Sequence, residues 1–289
     1  MNHSPDKINI ARSSGRERLH AVGVESAALK ADWLMADVLG CPRLELDSLG
    51  ERTLSPEQQA TWQAYLARAR MHEPVQYIMG HTEFMDITVR CDRRALIPRP
   101  ETEFLVEQAL QQPSIRTRPP AEILDVGTGT GCIALAMAQA LPTARVTGLD
   151  REESALALAR ENAEHLGLTE RVHFVLADLL AGWPAKSADL VLANLPYIPT
   201  TDCDPLPRDV RDFEPRSALD GGATGLDYLS ALVTQARRTL RSEGMLYVEI
   251  GAAQGSAVVG LLEQENYRAI ELLPDYTGRD RVAKGVNTL

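Results

Sequence analysis

The stretch that decides the fold is Ile123-Leu-Asp-Val-Gly-Thr-Gly-Thr-Gly131, an apolar run that ends in spaced glycines. A short apolar strand that turns through glycines into a helix is typical of an open α/β sheet, and the turn is where such a sheet binds its ligand. Glycine allows a tight backbone turn and the close approach of a ligand, because no Cβ is in the way. The spacing is G-x-G-x-G rather than the G-x-G-x-x-G of dinucleotide enzymes, since Cys132 occupies the last position.

Strands and helices alternate along the rest of this region. The apolar periodicity predicts strands at 123–126, 145–149, 172–177, 190–193 and 245–250, with a final strand pair at 269–273 and 282–286. It predicts helices at 132–140, 154–166, 225–240 and 255–265. Short apolar strands between amphipathic helices indicate an α/β fold with a mostly parallel, Rossmann-like sheet covered on both faces.

Acidic residues lie at the carboxyl ends of the first three strands of this region. Asp125 precedes the glycines, Asp150 ends the second strand, and Asp178 follows the third. A carboxylate at the position of Asp150 can accept both ribose hydroxyls of an adenosine. This geometry serves NAD and S-adenosylmethionine alike, so these residues leave the choice of cofactor open.

The fourth strand leads into Asn194-Leu-Pro-Tyr197, which resembles the loop of methyltransferases that act on planar nitrogens. An amide or exocyclic amine nitrogen is a poor nucleophile because its lone pair is delocalised. The side-chain oxygen of Asn194 and the carbonyl of Leu195 can each accept one N–H group and so fix that nitrogen for in-line transfer. Tyr197 can pack on the planar group.

The region before the glycines divides into three predicted segments. Residues 1–20 are polar and basic, which predicts a flexible tail. Residues 21–72 have helical periodicity, and Ser55-Pro-Glu-Gln58 is a strong helix start. Residues 73–98 alternate like strands around Gly80, which predicts a hairpin linker, with a helix beginning near Thr102. The catalytic domain then covers residues 99–289.

Composition excludes several classes of protein. The net charge of −10 argues against direct binding of nucleic acid, because such binding needs a basic face. The four cysteines form no CxxC pair and the histidines have no metal-ligand spacing, so we expect no metal site and a cytoplasmic location. No apolar run is long enough to cross a membrane.

Three further segments narrow the resemblance to one family. Glu73-Pro-Val-Gln-Tyr-Ile-Met-Gly80, Leu96-Ile-Pro-Arg-Pro-Glu-Thr-Glu103 and Phe213-Glu-Pro-Arg-Ser-Ala-Leu-Asp-Gly-Gly222 resemble the release factor glutamine methyltransferases, the HemK/PrmC group. The resemblance runs from about Glu25 to near the C-terminus. It implies a helical N-terminal domain for substrate recognition, a hairpin linker and a seven-stranded catalytic domain. It also implies N5-methylation of the glutamine in the GGQ loop of class-1 peptide chain release factors, which act in translation termination. We expect the enzyme to be a monomer.

The resemblance also implies roles for particular residues. S-adenosylmethionine, which leaves as S-adenosylhomocysteine, would be held by Asp125, Gly127, Thr128, Gly129, Thr130, Gly131, Asp150, Asp178, Leu179 and Asn194. Asn194, Pro196 and Tyr197 would be catalytic. The glutamine would be bound by Asn194, Leu195, Pro196 and Tyr197, with Arg99, Glu101, Phe213 and Glu214 around it.

One departure from the family pattern keeps alternatives open. The family has proline at the second position of the loop, where this chain has Leu195. Pro196 still pushes residue 195 into an extended conformation. The Leu-Pro form also occurs in enzymes that dimethylate adenines of ribosomal RNA. A ribosomal-protein glutamine, or an adenine of RNA or DNA, therefore remains an alternative substrate.

Overall fold

The computed structural model describes residues 6–288, and these residues form two compact units. The N-terminal unit contains the residues up to His81 together with Pro207–Phe213. The catalytic unit contains Thr82–Leu206 and the residues from Glu214 onward. Within the part of the chain that the structure describes, no helix is both long and apolar enough to span a membrane.

The N-terminal unit is helical. Its helices are α1 (Ile8–His20), α2 (Ala27–Leu39), α3 (Pro56–Ala69) and α4 (Val75–Met79). Trp62 and Leu66 of α3 are fully buried in its core with Leu34 of α2. The predicted start of α3 is confirmed: Ser55 Oγ accepts from the Gln58 N–H at 3.1 Å, and Gln58 Oε1 accepts from the Ser55 N–H at 2.9 Å. This reciprocal pair satisfies two donors that a helix leaves open at its first turn.

The prediction of a flexible tail over residues 1–20 is wrong for Ile8–His20, which form α1; residues 1–5 lie outside the described part. Burial of Ile8 and Leu19 anchors this helix in the N-terminal core. The arginines that made the segment look like a solvated tail are paired within the unit, because Arg12 and Arg16 both donate to Asp32. The sequence of the segment shows the charges but not the carboxylates that neutralise them.

The catalytic unit contains the remaining elements. Its helices are α5 (Pro100–Gln111), α6 (Pro113–Thr117), α7 (Cys132–Ala140), α8 (Glu153–His165), α10 (Asp227–Thr239) and α11 (Gly255–Gln264), while α9 (Arg208–Arg211) belongs to the N-terminal unit. Its strands are β2 (Ile87–Arg90), β3 (Glu122–Val126), β4 (Arg145–Asp150), β5 (Val172–Leu176), β6 (Ala188–Ala193), β7 (Leu240–Glu249), β8 (Arg268–Pro274) and β9 (Asp280–Val286), and β1 (His81–Phe84) pairs with β2.

The hairpin prediction for residues 73–98 is wrong in its first part. Residues 75 to 79 form the short helix α4, which ends at Gly80 in the left-handed conformation. Val75 and Tyr77 are both buried, but they are two side chains of a helical turn and do not form one face of a strand. Only β1 and β2 form the hairpin, and it packs against α8 through Asn162, whose side chain bonds both the N–H and the C=O of Arg90. The predicted helix near Thr102 begins two residues earlier, at Pro100.

The catalytic sheet confirms the predicted fold class. Seven strands lie in the order β5-β4-β3-β6-β7-β9-β8. Six of them run in the same direction, and β9 alone runs antiparallel to the other six. From β3 the chain winds outward to β4 and β5, and then returns to place β6 on the other side of β3. The strand order therefore reverses between β3 and β6. In open α/β sheets, ligands bind outside the carboxyl ends of the strands at this point.

Candidate active site

A cleft of about 950 Å³, open to solvent, lies in the catalytic unit at the carboxyl ends of β3 and β6. Five short segments provide most of its wall: residues 94–99, 127–130, 149–152, 177–179 and 194–196. The cleft therefore occupies the position that the strand order predicts for a ligand.

The glycine turn, residues 127–131, forms one side of the cleft. Gly127, Gly129 and Gly131 all have positive φ angles, of 76°, 55° and 82°, which L-residues with side chains rarely adopt. A Cβ at Gly129 would meet no protein atom closer than 3.8 Å, so the backbone there stays open for a ligand. Thr128 and Thr130 also line the cleft, whereas Gly131 does not: it begins α7 and packs beside Ala159.

Asp125 does not line the cleft, contrary to its predicted role as a cofactor contact. It is fully buried, and its Oδ2 accepts from Thr128 Oγ1 at 2.6 Å and from the Ala134 N–H at 3.1 Å. It therefore holds the glycine turn to the first turn of α7. Its Oδ1 has no hydrogen-bond partner among the residues described, and burial raises the pKa of this carboxyl to about 7.

Asp150 ends β4 and lines the cleft. Its Oδ2 accepts from the Gly129 N–H and its Oδ1 from the Glu152 N–H, both at 2.9 Å. Each carboxylate oxygen keeps a second lone pair for a ligand hydroxyl. Burial raises the pKa of Asp150 above its usual value. Arg151 and Tyr228 line the cleft beside it, with Arg151 Nη1 donating to the Tyr228 hydroxyl at 2.6 Å.

Asp178 and Leu179 line the cleft beyond β5. Leu179 has a φ of 51°, a left-handed conformation that is strained for a residue with a branched side chain. The next residue helps to hold it, because the Leu180 N–H donates to Gln235 Oε1 at 2.7 Å. Strained backbone of this kind is concentrated at ligand sites, where the surrounding structure imposes it.

The catalytic loop, residues 194–197, lies beside the glycine turn, because it leaves the end of β6 next to the end of β3. Asn194 Nδ2 donates to Thr102 Oγ1 at 2.8 Å, and Thr102 Oγ1 donates to Glu249 Oε2 at 2.7 Å. The Tyr197 hydroxyl donates to Glu249 Oε1 at 3.3 Å. Since the Thr102 hydroxyl gives its proton to the carboxylate, it can only accept from Asn194. The amide of Asn194 is thereby oriented, and its oxygen is left as an acceptor.

Gly221 and Gln254 support this loop from behind. The Gly221 N–H donates to the Ile198 carbonyl at 2.8 Å, and a Cβ at Gly221 would collide with the carbonyl oxygen of Pro196. Gln254 Nε2 adds a bond to the Tyr197 carbonyl at 2.9 Å. Leu195 and Pro196 line the cleft, but Tyr197 does not, because its hydroxyl is engaged by Glu249.

The remaining predicted substrate residues are only partly brought together. Arg99 lines the cleft and forms an ion pair with Glu214, whose side chain is almost completely buried. Glu214 also accepts from the Ile97 N–H at 3.2 Å, so it shapes the 94–99 wall from behind. Glu101 is outside the cleft wall, and Phe213 belongs to the N-terminal unit.

Sequence reasoning missed Thr102, Glu249, Arg151 and Tyr228. Glu249 carried a usable signal, because it is an acid at the carboxyl end of an apolar strand, as Asp150 is. Thr102 lies inside a quoted family segment but gives no chemical signal of its own. Only the folded chain brings it next to Asn194, which is 92 residues away.

The cleft suits S-adenosylmethionine. The open backbone at Gly129 admits the ligand and Asp150 offers a carboxylate to a ribose, while Asn194 lines the cleft beside the glycine turn. Among the residues that the structure describes, no cluster of histidine, cysteine or acidic side chains is arranged to hold a metal.

Comparison with known families and structures agrees with this assignment. The model of the PrmC N-terminal domain matches residues 11–80, and that of a methyltransferase domain matches residues 119–270. The fold resembles that of a 16S rRNA N2 methyltransferase from T. thermophilus, solved with AdoMet and guanosine, with a TM-score of 0.53. That alignment has 16% identity and covers 72% of this chain and 49% of the other, so it supports the fold alone.

Sequence relatives extend over nearly the whole chain. The release factor glutamine methyltransferase of Moorella thermoacetica is 43% identical over 91% of this chain and 93% of its own length. That of Geobacter sulfurreducens is 39% identical over 91% of this chain and 90% of its own length. The chain is thus an S-adenosylmethionine-dependent methyltransferase, and it belongs to the release factor glutamine methyltransferase family.

Proposed function

We propose that this protein methylates N5 of the glutamine in the GGQ loop of class-1 peptide chain release factors. The observation that carries the proposal is the amide of Asn194, which Thr102 orients so that its oxygen is left to accept from a substrate N–H. The relatives named as release factor glutamine methyltransferases supply the identity of the planar nitrogen.

The chain's own residues hold and orient the glutamine. The Asn194 oxygen and the Leu195 carbonyl take its two N–H groups, which places the nitrogen lone pair towards the methyl donor. When bound, S-adenosylmethionine supplies an electrophilic methyl group: the glutamine nitrogen bonds to the methyl carbon, S-adenosylhomocysteine leaves, and the amide loses a proton to solvent. No base has to act before this transfer, because the proton leaves after the bond has formed.

We assign the cofactor to the glycine turn, Asp150 and the 177–179 wall, and the glutamine to Asn194, Leu195 and Pro196. Tyr197 contributes its ring from the end of the loop, and Arg99 contributes the wall beside the substrate. We expect Glu214 and Asp125 to act by supporting these segments, since neither lines the cleft.

The test uses labelled methyl-S-adenosylmethionine with three acceptors: an intact class-1 release factor, the same factor with the GGQ glutamine changed to alanine, and deproteinised ribosomal RNA. We expect label on the intact factor only. Label on the RNA alone would make the nucleic-acid alternative correct, and label on both forms of the factor would place the modification elsewhere.

We also propose that the N-terminal unit recognises the release factor. The cleft lies wholly in the catalytic unit, while the PrmC N-terminal model matches residues 11–80. A short peptide that carries GGQ should then be methylated with a kcat/KM far below that of the intact factor. Equal values for peptide and factor would contradict this assignment.

Finally, we expect a monomer that acts in the cytoplasm, where release factors work, without direct contact to nucleic acid. The net charge of −10 is unfavourable for binding a phosphate backbone. Light scattering of the purified protein would give the mass, and a doubling of 31.7 kDa would show a dimer.

A further inference from the structure

Glu249 is hydrogen-bonded to Tyr197 at one end of the catalytic loop and is connected through Thr102 to Asn194 at the other end. It is only 2% exposed at the end of β7. Its Oε2 accepts from Thr102, which in turn holds Asn194, and its Oε1 accepts from the Tyr197 hydroxyl. A buried carboxylate is costly unless its hydrogen bonds compensate, so its presence behind a reaction centre calls for an explanation.

We propose that Glu249 is a positioning residue, which acts through Thr102 to keep the Asn194 amide oxygen directed at the substrate nitrogen. The inference rests on the proposed function, because it concerns how the acceptor for a substrate N–H is oriented. Glu249 does not itself line the cleft and so acts only through its neighbours.

The role requires a carboxylate rather than a neutral group. An ionised carboxylate only accepts hydrogen bonds, so both hydroxyls that touch it must donate to it. Thr102 then has lone pairs left for Asn194 and no proton. The Asn194 side chain must therefore donate to Thr102 through its NH₂ group, which leaves its oxygen to accept from the substrate.

The protonated form of Glu249 removes this constraint. As a carboxylic acid it can donate to Thr102, and Thr102 can then donate to the oxygen of Asn194 and turn the amide round. The NH₂ group would then face the substrate's N–H groups, and binding of the nitrogen in the reactive orientation would fail. Deprotonation of Glu249 therefore switches the site to its active arrangement.

The surroundings place this change near neutral pH. Burial raises the pKa of Glu249 to about 7, and the hydrogen bond from Thr102 opposes that rise. Arg281 on β9 lowers the pKa further, whereas the charge of Glu101 on α5 raises it. The other titratable groups that face it are Tyr197 and the Cys132 thiol on α7, and the pKa values of both are raised.

The experiment compares four substitutions in the full chain: Glu249→Gln, Thr102→Val, their combination, and Thr102→Ser. For wild type, kcat on the release factor should rise as pH increases through about 7. Glu249→Gln should lower kcat at pH 8 by about 10- to 100-fold and flatten this profile, with the Kd for S-adenosylmethionine unchanged.

Thr102→Val should lower kcat by a similar factor. The double variant should lose little more activity than either single variant, since both substitutions break the same series of hydrogen bonds from Glu249 through Thr102 to Asn194. Thr102→Ser, which keeps the hydroxyl, should restore most of the activity.

Thr239→Val is the matched control. Thr239 is fully buried, and within the described part of the chain its hydroxyl has no hydrogen-bond partner, so its removal tests the general cost of losing a buried hydroxyl. Its kcat and pH profile should match those of wild type. Losses that multiply in the double variant, or an unaltered pH profile for Glu249→Gln, would overturn the proposal.

A second readout does not depend on the release factor. In protein with ¹³C-labelled glutamate carboxyls, the Glu249 resonance should titrate near pH 7, and Thr102→Val should move its midpoint upward by removing a donor. An unmoved midpoint would overturn the proposal even if the enzyme is active. If the wild-type enzyme labels no release factor but Thr102→Val moves the midpoint, the proposed substrate is wrong, whereas the hydrogen bonds that link Glu249 to Asn194 remain supported.

Discussion

The glycine turn and the catalytic loop lie side by side in one cleft, yet they are held in different ways. Each depends on a buried carboxyl. Asp125 bonds Thr128 and Ala134, which are three and nine residues away in the chain. Glu249 bonds Thr102, which is 147 residues away. The carboxyl that supports the glycine turn is thus a neighbour in the sequence, whereas the one that supports the catalytic loop reaches it only in the folded chain.

The largest effect is expected from removing the amide on the substrate side. Asn194→Ala should lower kcat by about 10²- to 10³-fold, the usual cost of deleting one oriented hydrogen-bonding group at a reaction centre. The Kd for S-adenosylmethionine, measured by calorimetry, should stay within about twofold of wild type. Ordinary turnover in this variant would show that the catalytic loop does not hold the glutamine.

The two buried carboxyls should also make stability depend on pH. Burial raises the pKa of Asp125 and of Glu249 to about 7 from their ordinary values of 3.8 and 4.5. The folded state therefore binds protons more tightly than the unfolded state, so stability is full below about pH 4 and falls as pH rises to about 7. Each group should cost on the order of 3 kcal/mol when ionised.

Urea unfolding of wild type and Glu249→Gln at pH 5 and pH 8 measures this effect. The variant should be the more stable protein at pH 8 while being the less active enzyme, and its advantage should shrink at pH 5. A larger advantage at pH 5 would give the opposite sign and refute the assigned pKa directions.

A smaller effect is expected on the cofactor side. Gly129→Ala and Gly167→Ala both force a residue with a Cβ into the left-handed region, at φ values of 55° and 67°. Both should lose roughly 1 kcal/mol of stability for that reason. Only Gly129 lines the cleft, so only its variant should bind S-adenosylmethionine more weakly, by about tenfold. Equal affinities in the two variants would place the cofactor elsewhere.

The smallest effect is expected at the departure from the family pattern. Leu195→Pro should keep kcat within about threefold of wild type, because Pro196 already favours an extended backbone at residue 195. Leu195→Ala is its control, since it also removes a side chain that is only 6% exposed but adds no rigidity. A collapse of turnover in the proline variant alone would mean that the loop's backbone has been misinterpreted.

The fold was predictable to the level of individual strands. All seven strands of the large sheet lie within a few residues of their predicted positions, because apolar runs bounded by polar residues are a local pattern. The errors occurred where tertiary contacts override composition. The basic segment 8–20 is a helix anchored by the buried Ile8 and Leu19, with Asp32 pairing two of its arginines, and Val75 begins a helical turn instead of a strand.

The sequence by itself determined the glycine turn, the alternation of strands and helices, and the Asn194-Leu-Pro-Tyr197 loop with the family it resembles. Each depends on residues that are neighbours in the chain, where backbone sterics and periodicity act directly. Only the tertiary structure decided that Thr102 and Glu249 orient Asn194. The physical reason is that a side-chain hydrogen bond between distant residues leaves no periodic or spacing signal, and is made only when the sheet brings its strand ends together.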